Sequence, residues 1–207
     1  MSTETAVDGV VEFSPAVHAD TRGLFTSPLR EPDFTAALGR PLFPVRDISH
    51  NVSAAGVLRG IHYTAAPPGR AKYVYVPHGR VLDFVVDLRV GSPTFGAVHT
   101  TELDGTAPRA LYVPVGVGHA FLSLQDGSVV VYVMSGGYLP EHELAVSTLD
   151  PEVGLALPDG TAPRRSPRDE QAPTLRDALA AGLLPEYYTS RVVEDDLWAA
   201  LGAGEPT

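Results

Sequence analysis

Between about residues 56 and 148, short apolar runs rich in Val, Tyr, Phe and Leu alternate with turn residues. The turns read PPG, PHG, GSP, DG, TAP and DG, and each run between them has the length of a single strand. No helical segment alternates with these runs, which argues against a doubly wound parallel sheet. The pattern predicts a mainly β fold, an antiparallel jelly-roll or cupin-like barrel with a few peripheral helices. The runs are GVLRGIHY, AKYVYVP, RVLDFVVDLRV, AVHTTEL, RALYVPV, HAFLSL and SVVVYVM.

Helical patterns occur only outside this strand-rich region. A helix is predicted over residues 31–38, EPDFTAAL, where acidic residues come early and a glycine follows. The stretch 158–173, rich in Pro, Arg and Asp, is typical of a loop. Two helices are predicted after it: TLRDALAAGLL, from the spacing of Leu175, Leu179 and Leu183, and RVVEDDLWAALG, ended by its glycine. We expect this tail to pack on the outside of the barrel.

Composition limits the class of protein. The chain has 207 residues, 44% of them apolar and 19% charged, which suits one domain over residues 1–207 with a sizeable core. Its strand core would cover about 56–148, and its C-terminal loop and helices about 158–202. The chain contains no Cys, so neither a disulfide framework nor a zinc site built on Cys can form.

Charge and hydropathy narrow the range of partners. The first residues, MSTETAVDG, lack the basic-then-apolar order of a secretion signal, and no apolar run is long enough to cross a bilayer. A cytoplasmic location without a membrane partner is therefore expected. A net charge of −10 at pH 7 argues against a nucleic-acid partner, although a local cluster of cations could still hold a small phosphate ligand.

The segment LRGIHY, at the start of the strand-rich region, contains a candidate base. Strict alternation along a strand would put Leu58, Gly60 and His62 on one face and Arg59 and its alternate neighbours on the other. On that pattern, His62 faces the barrel cavity. The other possibilities for this residue are a buried structural imidazole and a metal ligand.

The run RVLDFVVDLR places acids in an otherwise apolar strand. Asp83 and Asp87 share a face with Val81 and Val85, while the opposite face is wholly apolar. This pattern indicates a strand that borders a polar cavity. Asp83, deep in the run, is a candidate cavity residue, and Asp87 is expected to be a surface or strand-end charge.

Several kinds of chemistry lack their sequence signatures. His62 has no second histidine two positions away, as a metal-binding cupin usually has, so no metal and no cofactor are expected. There is no Gly-x-Ser-x-Gly elbow for an acyl enzyme, and no Gly-x-Gly-x-x-Gly or Walker pattern. The histidines are scattered along the chain: His18, His50, His62, His78, His99, His119 and His142.

General acid–base chemistry remains open to this sequence. It needs a base that titrates near neutrality, an acid on another face of the substrate, and a cation where negative charge develops. His62, Tyr132, Lys72 and Asp169 could fill these roles, but their spacing does not show that they converge.

The chain resembles the dTDP-4-dehydrorhamnose 3,5-epimerases and their relatives in antibiotic-sugar pathways. The resemblance covers about residues 20–185 and rests on many motifs in the family's order, with PPGRAKYV and GLLPEYY most similar to the actinomycete branch. The motifs are DTRGLF (20–25), GVLRGIHY (56–63), AKYV (71–74), VDLRVGSPTFG (86–96), YVPVGVGHAF (112–121), LDP (149–151) and SPRDEQAPTL (166–175).

This resemblance implies a homodimer of jelly-roll barrels and a metal-free mechanism on a nucleotide-linked 4-keto-6-deoxyhexose. The C4 ketone acidifies the hydrogens at C3 and C5, so that a base can form an enolate and reprotonation from the opposite face inverts the carbon. Carried over by position, His62 is the base, Asp169 orients it, Tyr132 is the acid and Lys72 stabilises the enolate oxygen.

The resemblance also implies residues that bind the substrate. Arg59, His119 and the partner subunit's Arg22 would contact the diphosphate, Arg168 stands where the family often has Lys, and Glu143 matches an acid that contacts substrate. Each of these alone has an ordinary structural explanation, as a solvated surface charge or a core residue; it is the ordered set that favours function.

The sequence departs from the family where the nucleotide is bound. Ser27 replaces an acidic residue, and Asp47 and Ser49 stand where the family usually has Gln-x-Asn. A carboxylate in place of an amide accepts hydrogen bonds but cannot donate them, and it repels an anionic ligand. These replacements change the set of residues that would recognise thymidine diphosphate.

Three functions stay open on these grounds. The first is epimerisation of a dTDP-linked keto sugar at C3, C5 or both. The second is proton-transfer or cyclisation chemistry on a non-nucleotide biosynthetic intermediate in the same barrel. The third is a barrel that binds a sugar nucleotide without catalysis, which would not need an acid and a base on opposed faces.

Overall fold

The computed structural model describes residues 1–202. The strands in this part of the chain are β1 (Ser2–Glu4), β2 (Val11–Phe13), β3 (Val17–Asp20), β4 (Gly23–Thr26), β5 (Asp47–Ser53), β6 (Leu58–Thr64), β7 (Lys72–His78), β8 (Arg80–Asp87), β9 (Val98–Asp104), β10 (Ala110–Val113), β11 (Val117–Ser123), β12 (Ser128–Met134) and β13 (Glu143–Ala145). The α-helices are α1 (Glu31–Leu38), α2 (Pro167–Glu170), α3 (Leu175–Ala180) and α4 (Tyr187–Gly202). None of the helices in residues 1–202 is long and apolar enough to cross a membrane.

Two antiparallel sheets face each other. One has the strand order β1-β2-β10-β7-β12-β5 and the other β13-β6-β11-β8-β9, while β3 and β4 form a separate hairpin. The seven apolar runs of the sequence become β6 to β12. Because most neighbouring strands, other than β1-β2 and β8-β9, are far apart in sequence, the chain crosses repeatedly between the two sheets. This confirms the jelly-roll architecture predicted from the pattern.

The interior between the two sheets is filled by apolar side chains from both of them. Val74 and Val130 from the first sheet pack against Val85, Val117 and Phe121 from the second. These residues occupy alternate positions of their strands, as expected where one face of each strand lines a shared core. The polar residues of the site continue this same inner face.

The outer faces of both sheets are covered by the helices. Phe34 of α1 and Trp198 of α4 pack with Tyr73 and Tyr112 on the back of the six-stranded sheet. Buried residues of α3, with Leu184 after it, close the back of the other sheet. The C-terminal tail therefore packs outside the barrel, as its sequence predicted.

The helices match their predicted positions to different degrees. α1 has the predicted bounds, whereas α4 begins at Tyr187, before the predicted start, and reaches Gly202, the last residue that the structure describes. α3 ends at Ala180 because the chain turns at Gly182, whose φ is +66°. Leu183 consequently lies beyond the helix, so the predicted helical leucine face was wrong. The predicted loop also contains the single turn of α2.

Asp87 is not the surface charge that the sequence suggested. It is fully buried, and its carboxylate accepts hydrogen bonds from Arg89 Nε at 2.8 Å and from Arg89 Nη2 at 2.9 Å. Ser92 and Thr94 donate to it as well. Burial alone would raise the pKa of Asp87, but these hydrogen bonds outweigh burial and hold it below its usual value. The expectation failed because the turn after β8 brings Arg89 back onto the carboxylate.

The predicted alternation in β6 was also wrong, because the strand contains a bulge. His62 pairs with His119 and Arg59 with Phe121, so two residues of β6 oppose the single residue Ala120. The extra residue reverses the facing of the strand partway along it. His62 lies on the inner face as predicted, but together with Arg59 rather than opposite to it.

The bulge depends on the glycine at its centre. Gly60 has φ of 119°, a region that side chains rarely allow, and an added Cβ would lie 2.5 Å from the Cβ of Ala120. Leu58 and Tyr63, on either side, are buried against the outer cluster. A glycine at this position therefore lets the strand change face while both of its ends stay packed.

We predict that Gly60→Ala lowers the free energy of unfolding by about 3 kcal/mol or more, because it adds a steric clash to the backbone strain. Gly23→Ala is the matched control: Gly23 has φ of 127° but open space around it, so only the strain of about 1–3 kcal/mol applies. Urea unfolding measures both changes. Equal losses for the two variants would contradict the role given to close packing at the bulge.

Candidate active site

His62 and Asp169 form a close pair at the inner face of the barrel. His62 Nε2 lies 2.6 Å from Asp169 Oδ1, although 107 residues separate them in the chain. α2 holds the carboxylate in place, because Ser166 caps the helix by accepting a hydrogen bond from the Asp169 backbone amide at 3.1 Å. The Asp169 side chain is 3% exposed and that of His62 is 34% exposed. The pair thus presents its imidazole, and not its carboxylate, to incoming ligands.

The pKa of Asp169 reflects this environment. Burial acts to raise the pKa of Asp169. The larger, opposite effect comes from the hydrogen bond and charge of His62, the Ser166 hydroxyl and the charge of Arg168, so the pKa lies below its usual value. The carboxyl is therefore ionised at neutral pH. An ionised carboxylate accepts a hydrogen bond from the N–H at Nε2, which fixes the ring orientation and leaves the lone pair on Nδ1.

A second imidazole–carboxylate pair lies beside the first. His119 on β11 is the direct cross-strand neighbour of His62, and its Nε2 lies 2.8 Å from Asp83 Oδ2 on β8. Both side chains are buried. Asp83 therefore faces the interior, as the alternation of its strand predicted.

Tyr132 approaches these histidines from the opposite sheet. Its ring meets that of His119 edge-on, with 5.8 Å between the ring centroids. The Nδ2 of Asn51, on the neighbouring strand β5, donates a hydrogen bond to the phenolic oxygen at 3.1 Å. Burial raises the pKa of Tyr132 far above its usual value, although Asn51 opposes the shift and Asp83 adds to it. The phenol consequently keeps its proton at neutral pH.

Lys72 begins β7 beside a buried ion pair. Arg70 donates through Nη2 to Glu143 Oε1 at 2.6 Å and through Nε to Thr64 Oγ1 at 3.2 Å. The Thr64 hydroxyl in turn donates to the same Glu143 oxygen at 3.1 Å. Thr64 also lies two residues after His62 on β6. The arrangement links the cationic end of the site to the strand that carries the candidate base.

Burial lowers the pKa of Lys72 to about 8. The nearby carboxylate of Glu143 raises it in part, and the positive charge of Arg70 lowers it again. Lys72 is therefore protonated at pH 7, yet it is a cation in a poorly solvated position, where its attraction for a developing negative charge is strong.

The remaining predicted residues lie at different distances from this centre. Arg59 shares the inner face with His62 and donates to Ser53 Oγ at 3.1 Å. Arg168, exposed on α2, donates to the backbone oxygen of Glu143 at 2.9 Å. On β5, Asp47 and Ser49 are half-buried on the face that also carries Asn51, and Ser49 lies directly opposite Tyr132.

Two predicted residues are not brought to the site within this chain. Arg22 lies at the tip of the β3–β4 hairpin, exposed and paired with Asp20. Ser27 follows the hairpin and lines a small depression with Phe13 and Arg30 instead of facing His62.

Four residues of the site were not predicted from the sequence: Asn51, Arg70, Thr64 and Ser166. Two of them had a signal in the strand period: Asn51 follows Ser49 at a spacing of two, and Thr64 follows His62 in the same way. Arg70 and Ser166 lie in loops or at a helix cap, where no periodicity indicates which way a side chain points. Within residues 1–202 there is no group of three or more His, Asp or Glu side chains placed to hold a metal ion.

The chain is similar in sequence to a family of sugar-nucleotide epimerases. The family model described as dTDP-4-dehydrorhamnose 3,5-epimerase matches residues 4–177. A dTDP-4-dehydro-6-deoxyglucose 3-epimerase of Streptomyces bikiniensis is 46% identical over 182 residues, which cover 88% of this chain and 92% of the relative. A dTDP-4-dehydrorhamnose 3,5-epimerase of Mycobacterium tuberculosis is 45% identical over 186 residues, which cover 89% and 92%.

A solved structure gives the same result for the fold. It is a 3′-monoepimerase from Streptomyces bikiniensis in complex with dTDP-quinovose, with a TM-score of 0.87 and 43% identity over 92% of this chain and 96% of that one. The match of the family model across most of the sequence, together with these identities, shows that this chain belongs to the dTDP-4-dehydrorhamnose 3,5-epimerase family.

Proposed function

We propose that this protein epimerises a dTDP-linked 4-keto-6-deoxyhexose at C3, C5 or both, through an enolate, in deoxysugar biosynthesis. The observation that carries the proposal is that His62, paired with Asp169 of α2, lies on one sheet while the protonated Tyr132 lies on the sheet that faces it. The names of relatives at 45–46% identity support the same reaction and substrate class.

The first step is removal of a proton from carbon. Asp169 accepts a hydrogen bond from the N–H at Nε2 of His62, so Nδ1 carries the lone pair that takes a proton from C3 or C5. The electrons of the broken C–H bond move into the adjacent carbonyl and give an enolate oxygen at C4. A neutral imidazole becomes a cation in this step, and the ionised carboxylate of Asp169 stabilises that charge.

Lys72 is the cation that we assign to the enolate oxygen. Lys72 is buried and has a lowered pKa, so its ammonium group can stabilise the enolate oxygen by charge or donate a proton to that oxygen. Its neighbour Glu143 is already engaged by Arg70, which keeps the carboxylate from neutralising Lys72 fully. A single electrostatic contact of this kind is typically worth about 3–4 kcal/mol of the barrier.

Inversion requires that the proton return from the other side. Tyr132 projects from the six-stranded sheet and His62 from the five-stranded sheet, so a sugar ring bound between them would meet an acid and a base on opposite faces. The phenol delivers its proton to the enolate carbon, the C4 ketone re-forms, and the carbon is inverted. This opposition of groups distinguishes an epimerase from a protein that only binds sugar nucleotides.

For the nucleotide we propose contacts from Arg59, His119 and Arg168 to the diphosphate, and from Glu143 to the sugar. Asp47 and Ser49 would then adjoin the thymine of the nucleotide, whereas Ser27 does not reach this position within one chain. The half-buried Asp47 adds negative charge near an anionic ligand, and it distinguishes this chain from the pattern that the family usually has.

We further propose a homodimer in which the partner subunit's Arg22 contacts the diphosphate. Two features support it: the hairpin that carries Arg22 exposes Phe25 at 66%, and the outer face of the edge strand β5 exposes Ile48 at 64% and Val52 at 59%. A monomeric mass by light scattering of the full chain would contradict this proposal.

The reaction is tested by incubation with dTDP-4-keto-6-deoxyglucose in D2O. The wild-type protein should place deuterium at C3, C5 or both, and the labelled carbon identifies the centre that is epimerised. His62→Ala should reduce exchange by about 10²–10⁴-fold, because the base is removed.

His78→Ala provides the matched control, since His78 is exposed at the far end of β7 and should leave exchange unchanged. Thermal-shift titration with dTDP checks that each variant still binds the nucleotide, because a ligand of the native state raises its melting temperature. Substantial exchange by His62→Ala would contradict its assignment as the base. Absence of any shift with dTDP would favour a non-nucleotide substrate.

Lys72→Met should stabilise the protein while it reduces exchange. At pH 7 the buried cation costs about 3 kcal/mol, because its pKa falls from 10.5 to about 8 and each unit corresponds to about 1.4 kcal/mol. Between pH 8 and 10.5 the folded lysine is neutral while the unfolded one still binds a proton. The wild type therefore gains stability as pH rises, and the advantage of the variant shrinks. Urea unfolding of the wild type and of Lys72→Met at pH 7 and pH 10 measures the difference in their free energies of unfolding at each pH.

The lysine itself can be observed directly. Lys72 is the only lysine in the sequence, so labelling with ¹³C-lysine gives a single Cε resonance whose titration midpoint is the pKa of this group. We expect a midpoint near 8. A midpoint near 10.5, or a Lys72→Met variant less stable than the wild type at pH 7, would contradict the account of Lys72.

A further inference from the structure

Asn51 is a half-buried polar residue of the site to which the proposed mechanism gives no role. It lies on the inner face of the edge strand β5, two residues beyond Ser49, which is the cross-strand neighbour of Tyr132. Its Nδ2 lies 3.1 Å from the phenolic oxygen of Tyr132. The contact is therefore diagonal between adjacent strands and depends on their register.

The direction of this hydrogen bond matters for catalysis. The amide donates, so the phenolic oxygen of Tyr132 accepts and its own proton remains to be donated elsewhere. Within residues 1–202, no protein group accepts a hydrogen bond from that phenol. The edge-on contact with His119 fixes the ring, but it leaves the hydroxyl free to rotate. Asn51 is the group that restricts this rotation.

The other end of the same amide argues against a role in stability alone. Asn51 Oδ1 is buried, and it has no hydrogen-bond partner among the described residues. Leaving a carbonyl oxygen buried and unpaired is unfavourable, and an aliphatic side chain of similar volume would avoid that cost. A donor at this position is therefore explained better by its effect on Tyr132 than by its contribution to folding.

We propose that Asn51 is a positioning residue for inversion: its amide donates to Tyr132 and so directs the phenolic O–H towards the bound sugar. The inference rests on the proposed function, in which Tyr132 is the acid. On this inference, Asn51 controls the ratio of inversion to proton exchange, and it does not affect the rate at which His62 removes the proton.

The test compares two substitutions that differ in hydrogen bonding. Asn51→Asp keeps the shape of the side chain but replaces the donor with an acceptor, which would draw the phenolic proton towards β5 and away from the sugar. Asn51→Leu keeps the approximate volume and removes the hydrogen bond. Tyr132→Phe is the reference variant without the acid. For each, deuterium incorporation and product stereochemistry are measured in the same D2O reaction.

We expect Asn51→Asp to lower the inversion-to-exchange ratio about tenfold or more, approaching Tyr132→Phe, with deuterium still entering the substrate. Asn51→Leu should lower the ratio less, because the phenolic hydroxyl loses its donor but gains no acceptor on β5. The melting temperature of Asn51→Leu should equal or exceed that of the wild type. The order of the two variants is the decisive observation, since Asp resembles Asn far more closely in shape than Leu does.

The outcomes that overturn the inference are distinct from those that overturn the proposed function. A wild-type ratio in Asn51→Asp, or a larger loss in Asn51→Leu accompanied by a lower melting temperature, would show that Asn51 only supports packing. Failure of the wild-type protein to exchange any proton would instead refute the epimerase proposal. An unchanged ratio in Tyr132→Phe would remove the acid on which the inference rests.

Discussion

The hydrogen bond between His62 and Asp169 joins the inner face of the barrel to a helix that follows the barrel in sequence. It requires the bulge at Gly60, which keeps His62 on the inner face while Leu58 and Tyr63 stay in the outer core. It also requires the capped turn of α2, which directs a buried carboxylate inward. The barrel thus contributes the imidazole of the base, and the C-terminal tail contributes the carboxylate that orients it.

The two facing sheets hold the other candidate catalytic groups on opposite sides of the space between them. The base and its neighbouring His119–Asp83 pair belong to the five-stranded sheet, whereas the acid Tyr132 and Lys72 belong to the six-stranded sheet. A sugar ring bound between the sheets would therefore meet different groups on its two faces. Asn51 on the edge strand β5 orients the acid Tyr132, and the register of β5 against β12 positions that contact. The jelly roll therefore places the acid and the base on opposite sides of the ligand.

The strand core could be predicted because alternation and turn residues act locally, and β6 to β12 match the predicted runs. The bulge could not, because a one-residue change of register depends on Ala120 of a strand far away in sequence. The burial of Asp87 also escaped prediction, since its cation comes from the turn after its own strand. Spacing alone gave no contact for Asp169; only the family resemblance suggested it.

The most direct test of the central claim is proton exchange by Asp169→Asn. The amide keeps the shape of the side chain but removes the charge that stabilises the His62 cation. We predict that deuterium incorporation from D2O falls by about 10²–10⁴-fold while the thermal shift with dTDP is retained. Exchange near the wild-type rate in a variant that still binds dTDP would contradict the claim that this carboxylate and imidazole act together as the base.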